Sequence, residues 1–278
     1  MIYLCHSKRF LCEKIEMNNN LVSIITPIYN SAIWVGNLIK NVKEQTYQHW
    51  ELIIIDDCSN DNTFEVLSHA AEKDKRIRLY KNKSNQGPGS TRNLAIELAK
   101  GRFIAFLDAD DEWDKDKLKI QISIMIEKRY FMSYHDYRHM SCDGKMVGDV
   151  VRGPEILDWN IHHYRRGVGC LTIMFDRTLG ELPFFPSIKN IIAEDFLAWS
   201  NILKKGHCGY RIPYDLARYR LSDTGRSSNK IKAIKSVWFI YRSIEKIPIL
   251  YCIFFWVQYC INSFMLHRRA RPYLTIEK

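Results

Sequence analysis

Four short apolar runs, residues 22–26, 51–55, 77–81 and 102–107, recur at similar intervals along the chain. Each is rich in β-branched and other apolar side chains, the pattern of a strand buried on both faces. The segments between them carry helical periodicity. Residues 32–45 bring Ile33, Leu38, Ile39 and Val42 onto or near one face, and residues 62–73 do the same with Phe64, Val66, Leu67 and Ala70. Residues 90–100 predict a third helix, with Gly101 as its C-terminal cap. Strands alternating with single helices imply a parallel sheet with right-handed crossovers. In such a sheet, functional groups collect on the loops after the carboxyl ends of the strands. Farther on, residues 118–127 predict a helix leading to a strand at 131–135, and residues 194–205 a helix that stops at Gly206. The stretch 136–190 is less regular, with Gly144, Gly148, Gly153 and Pro154 marking turns.

A chain of 278 residues accommodates one sizeable α/β domain and a short appendage. Its 46% hydrophobic and 26% charged residues argue against long disorder. Eight cysteines without any Cys-x-x-Cys pair exclude a zinc ribbon or a dithiol redox motif, and they read as reduced thiols of a cytosolic protein. Charge changes the picture at one end only. Residues 224–278 hold ten basic side chains against two acids, so +8 of the net +10 sits there.

Within that basic region, residues 247–266 carry no charge at all. This is long enough to span a bilayer, yet both flanks are basic, and a spanning helix would leave one of them outside against the positive-inside tendency. The expectation is a segment in or near the inner membrane surface, on its cytoplasmic face, with a helix packed on the α/β domain as the competing reading. No nucleic-acid motif accompanies the basic residues, so nucleic acid is not expected as a partner. Residues 1–16 lack the apolar core of a signal peptide and read as a loose arm, with Met17 as a candidate start and an ordered helix as the alternative.

Four loops at predicted strand ends carry the chemistry. In the first, Pro27 fixes the exit of the strand and Tyr29 offers a ring on which a base can stack; with no glycines it is not a Rossmann phosphate turn. The second joins Asp56 and Asp57 to an apolar strand, where like charges need a reason; one of them can accept hydrogen bonds from a base or ribose, while Asp61 or Asn62 caps the next helix. The third, Gly87 to Asn93, offers Ser90 as a cap and places Arg92 in a first helical turn, against the dipole, unless a diphosphate or an acidic side chain shares the site. The fourth ends a strand in Asp108, Asp110, Asp111 and Glu112, hard oxygen ligands suited to Mg²⁺ or Mn²⁺. Glu194 and Asp195 stand apart, opening a helix, where acids also merely satisfy the dipole.

Taken together, Ser23-Ile24-Ile25-Thr26-Pro27-Ile28-Tyr29-Asn30, Ile55-Asp56-Asp57-Cys58-Ser59, Gly87-Pro88-Gly89-Ser90-Thr91-Arg92-Asn93, Leu107-Asp108-Ala109-Asp110-Asp111 and Glu194-Asp195 resemble, in order and spacing, the family 2 glycosyltransferases of the GT-A fold. The resemblance covers about residues 20–220 and extends to enzymes of bacterial O-antigen and capsule synthesis. It implies an α/β fold with a Rossmann-like, mostly parallel central sheet flanked by helices, and here a basic and apolar helical extension at the C-terminus. The expected organisation is an arm at 1–20, the catalytic domain at 21–222 and a membrane-associating helical region at 223–278. Pro27, Tyr29, Asp57 and Arg92 are implied to line the nucleotide pocket of a UDP-sugar. Asp108 is implied to contact ribose, Asp110 to hold Mn²⁺ or Mg²⁺, and Asp195 to act as general base toward a saccharide acceptor linked to polyprenyl diphosphate. Tyr219-Arg220, Ser222 and Ser227-Ser228 resemble the flexible region near the donor phosphates, without its histidine. The alternative reading is a non-catalytic or membrane-scaffold protein that keeps the nucleotide-sugar-binding fold.

Overall fold

The computed structural model describes residues 20–165, 167–188, 191–221, 230–269 and 273–274. The expected arm at 1–16, Met17, Ser222 and Ser227-Ser228 lie outside the described residues. Strands β1 (Val22–Ile28), β2 (Trp50–Asp56), β3 (Ile77–Lys81) and β4 (Phe103–Phe106) run parallel in the order β3-β2-β1-β4. Helices α1 (Ala32–Lys43), α2 (Thr63–Lys73) and α3 (Gly87–Leu98) are the crossovers. Alternation within the strands divides the core in two. Ile24, Leu52, Ile54 and Phe103 face α1, whose Val35, Leu38 and Val42 meet them at helical spacing. Ile25, Ile53, Ile55 and Phe106 face Ala95 of α3 and Trp199 and Ile202 of a later helix. Both faces are dry, which is why the strands read as continuous apolar runs rather than as half-polar ones.

After β5 (Glu112–Trp113) and α4 (Lys117–Lys128), the sheet continues on its β4 edge with antiparallel strands. These are β9 (Met174–Asp176), β6 (Met132–Met140) and β7 (Met146–Val151). The short β8 (Ile156–Leu157) and α5 (Trp159–Tyr164) separate β7 from β9 in the chain. Helix α6 (Glu194–Lys204) precedes β10 (Gly209–Arg220), which pairs with β5, β6 and β8. The C-terminal part folds as α7 (Lys230–Phe239), a π-helical turn at Ile240–Ile244, and α8 (Ile249–Arg269), and β11 (Tyr273–Leu274) adds to β7.

Two expected caps are corrected. Ser90 does not cap α3, because the helix begins earlier, at Gly87, with Pro88 beside it. Gly101 is not a C-cap either: a Cβ there would sit 2.6 Å from the Leu21 carbonyl oxygen and the Ser23 nitrogen, so the glycine permits close approach of the chain to β1. Asp61 does serve α2, accepting from the Thr63 backbone N–H at 3.0 Å.

Candidate active site

Pro27, Tyr29, Asp57 and Asp108 lie on the adjoining carboxyl ends of β1, β2 and β4. Tyr29 follows β1 and is half-exposed. Its loop is tied to the next one by the Asn30 N–H donating to Ser59 Oγ at 2.9 Å and the Asn60 N–H donating to Asn30 Oδ1 at 2.9 Å. Asp57, one residue beyond β2, is buried. Its Oδ1 accepts from Asn82 Nδ2 at 2.7 Å and the Gln86 N–H at 2.8 Å, and its Oδ2 accepts from the Gly87 N–H at 2.8 Å. The carboxylate therefore caps α3, where its charge meets the helix dipole. Asp56, fully buried, accepts from the Ser59 N–H and lies 3.7 Å from Lys81 Nζ. Both acids have structural work that explains their adjacency.

Arg92 of α3 is buried and places Nη2 2.6 Å from Asp108 Oδ1, with its guanidinium 5.5 Å from the centre of the Phe185 ring. Because the helix begins at Gly87, Arg92 lies in its second turn rather than in the first as expected, and its partner is an acidic side chain. Burial works against its charge, but the carboxylates of Asp108 and Asp195 outweigh that and hold its pKa above the ordinary value. Asn93 fixes the neighbouring segment by donating Nδ2 to the Phe185 carbonyl and accepting the Phe185 N–H, both at 2.8 Å.

The acidic loop crowds its charges. Burial first, then Asp108, raises the pKa of Asp110. Burial, then Asp110 and Asp108, pushes Asp111 far up. One strap holds the loop from outside. Arg220, at the end of β10, donates Nε to the Asp110 carbonyl at 2.7 Å and Nη2 to Glu112 Oε1 at 2.5 Å, and its backbone N–H donates to Asp111 Oδ1 at 3.0 Å. Nη1 reaches the Cys142 carbonyl at 2.9 Å, and the guanidinium stacks 4.6 Å from the centre of the Trp34 ring. The expectation of a flexible region at Tyr219-Arg220 is corrected here, since both residues belong to a strand.

Asp195 sits in the first turn of α6, where Oδ1 accepts the Phe196 N–H at 2.8 Å. This helix end abuts the start of α3: a Cβ on Gly89 would lie 3.5 Å from Glu194 Cγ. Arg92 and Cys170 both feel the charges of Asp108 and Asp195, so α3, the acidic loop and α6 converge on one region. Cys170 opens a short 3-10 turn at Cys170–Thr172, and burial pushes its thiol pKa well up. Sequence reasoning missed Cys170 and Phe185, which lie in irregular segments with no pattern to mark them.

The residues present fit a divalent cation. Among the described residues no three His, Cys, Asp or Glu side chains converge as a complete protein cage. Mg²⁺ and Mn²⁺ commonly take one or two carboxylates and complete their shell with ligand phosphates, and the mutual repulsion of Asp108, Asp110 and Asp111 is what such a charge relieves.

The family model for glycosyl transferase family 2 matches residues 23–152. TuaG of Bacillus subtilis (strain 168), a glycosyltransferase assigned to teichuronic acid biosynthesis, is 39% identical over 87% of this chain and 96% of its own. The chain belongs to glycosyltransferase family 2. WfgD of Escherichia coli, a UDP-Glc:α-D-GlcNAc-diphosphoundecaprenol β-1,3-glucosyltransferase, is 37% identical over 90% of the chain and 96% of its own. Among solved structures, S. aureus TarS residues 1–349 with UDP superposes with a TM-score of 0.62 at 19% identity, covering 89% of this chain and 72% of that one. The Pyrobaculum calidifontis mannosyltransferase PcManGT, in complex with GDP-Man and Mn²⁺, gives 0.62 at 16% identity over 90% and 76%. This family 2 domain has the GT-A fold, with its mostly parallel sheet and an apolar C-terminal helix.

Proposed function

We propose that the protein is a metal-dependent, inverting hexosyltransferase of bacterial surface-polysaccharide synthesis, of the O-antigen or capsule kind. It takes a hexose or N-acetylhexosamine from a UDP-sugar and delivers it to a saccharide acceptor linked to polyprenyl diphosphate, at the cytoplasmic face of the inner membrane. The observation that carries the reading is the convergence of Arg92 from α3, Asp108 from the acidic loop and Asp195 from α6. The donor and acceptor classes are supported by WfgD and by the UDP complex of TarS.

In this reading Pro27 and Tyr29 shape the uracil pocket, the Tyr29 ring supplying a stacking face. Asp57 lines it while holding the start of α3. Arg92 fixes Asp108 against the ribose and adds positive field beside the diphosphate. Asp110 holds Mn²⁺ or Mg²⁺, and the ion when bound neutralises charge on the departing UDP. Asp195 accepts the proton of the acceptor hydroxyl as that oxygen forms its bond to the anomeric carbon. The bond to the diphosphate breaks on the opposite face, and a single displacement inverts the configuration.

The test is a panel of UDP-sugars offered with a lipid-diphosphate-sugar acceptor. Asp195→Asn is expected to keep donor binding and lose turnover by about 10²–10⁴-fold. Asp110→Ala and a chelator are each expected to abolish transfer, with Mn²⁺ or Mg²⁺ restoring the chelated wild type. Full turnover in chelator overturns the metal assignment. An Asp195→Asn enzyme that loses donor affinity but keeps its saturated rate overturns the base.

A further inference from the structure

Helix α8 is apolar on all sides, and its two sides have different surroundings. The inner stripe, Cys252, Phe255 and Tyr259, is buried in a cluster with Phe196 and Leu197 of α6 and with Val237, Ile240 and Tyr241. Polar side chains on the same side reinforce it: Asn262 Nδ2 donates to the Tyr164 carbonyl at 2.8 Å, and Trp256 Nε1 to the Ile234 carbonyl at 3.3 Å. On the outer side Leu250, Ile253, Phe254, Val257, Ile261, Phe264 and Met265 are all exposed, Leu250 to 78% and Phe264 to 63%. At about 100° per residue these seven fall within an arc of about 120°. A row of large apolar side chains along a 21-residue helix is more than a soluble surface ordinarily leaves in water.

Charge identifies what covers it. Lys232, Lys235, Arg242 and Lys246 are exposed ahead of the helix, and Arg268, Arg269 and Arg271 follow in the sequence. The acid in residues 230–269, Glu245, is turned inward, its Oε2 2.9 Å from His163 Nε2 and its Oε1 hydrogen-bonded by Ser200. Among the described residues of 230–269, exposed cations thus stand ahead of the apolar row and no exposed acid accompanies them. A second copy docked there would bring like charges together. A spanning helix would have to leave the domain, stripping Asn262 and Trp256 of their carbonyl partners in hydrocarbon.

We infer that α8 lies parallel to an anionic phospholipid surface, its outer row sunk into the acyl boundary and the flanking cations on lipid phosphates. The use of this attachment rests on the proposed transferase reading. Phe196, whose ring centre lies 6.5 Å from that of Tyr259, directly follows Asp195. Docking α8 thus sets the height of the candidate base above the plane in which a lipid-linked acceptor moves.

The experiment is co-sedimentation of the full chain with vesicles of phosphatidylcholine alone and of phosphatidylcholine with phosphatidylglycerol. It is run with wild type and with the triple variant Leu250→Glu, Phe254→Glu, Ile261→Glu, whose sites are exposed. Wild type is expected to bind the anionic vesicles and to be released by alkaline carbonate. The variant is expected to lose binding by more than about tenfold, since apolar burial drives the attachment. It should keep its melting temperature and its turnover on a water-soluble acceptor. Equal binding by the variant, resistance of wild type to carbonate, or a wild-type dimer that the variant dissolves without any vesicle binding each overturns the inference. Vesicle binding without any transferase activity leaves it standing and removes the reading of function.

Discussion

Arg220 donates to the carbonyl of Asp110, to the side chain of Glu112 and to the carbonyl of Cys142, so one guanidinium sets the shape of the acidic loop. Groups that orient metal ligands from behind typically affect metal affinity by about 10–100-fold. Arg220→Lys keeps the charge but loses the planar fork, and it is expected to weaken activation by Mn²⁺ within that range while donor chemistry at saturating metal stays close to wild type. A metal titration of activity, with calorimetry in the presence of UDP, checks this, and an unchanged midpoint would remove the strap from the site's function. The acids of this loop were legible from sequence, because four carboxylates on an apolar strand demand a ligand or a partner. Their supports were not. Asn82, Gln86 and Gly87 reach Asp57 from 25 to 30 residues away, and Arg220 reaches Glu112 across 108. Such pairings follow from topology rather than from local pattern.

At the level of elements, the strands with dry faces and the helices between them were readable from periodicity, with ends displaced by a few residues. Strand β10 was not, because its ladder with β6 shifts register twice, between Ile212 and Asp215 and again before Arg218, and the bulges scramble its alternation. Pro248, inside the uncharged run 247–266, stands just ahead of α8, where proline is tolerated. Nor did the pattern show what α4 and β6 enclose. Lys117, Gln121 and His135 are buried together, with Lys117 Nζ and His135 Nε2 lacking hydrogen-bond partners among the described residues and Lys117 stacked 3.6 Å from the Trp113 ring centre. Burial, then the nearby Lys117, lowers the pKa of His135 to about 3. The unfolded chain takes up that proton near pH 6.5, whereas the folded one refuses it until about 3. Stability is therefore lost as pH falls from 6.5 toward 3, at roughly 1.4 kcal/mol per unit well inside the window. His135→Leu is expected to flatten the fall by that amount between pH 6.5 and 4.5, whatever its absolute stability. Urea titrations at several pH values measure this; parallel slopes for the two proteins would refute it.

Across the whole molecule, the basic tail announced itself by charge, but its manner of attachment depends on a buried contact that sequence could not reveal. Glu245 stands between His163 of α5 and Ser200 of α6, and the Tyr241 hydroxyl donates to the His163 carbonyl at 2.5 Å. These bonds clamp the C-terminal helices to the same α6 that presents Asp195. Replacing Glu245 by leucine removes an acceptor from two buried groups at once, a change expected to cost about 3 kcal/mol or more. The loss should not be uniform. The parallel sheet keeps its two apolar faces, whereas α7 and α8 depend on the clamp and on the single cluster around Tyr241 and Phe255. Amide exchange in Glu245→Leu is therefore expected to quicken across residues 230–269 and in α5, while β1, β2 and β4 keep wild-type protection. A uniform loss of protection would show that the helices and the sheet unfold as one unit, and an unchanged pattern would show that apolar packing alone holds the C-terminal helices in place.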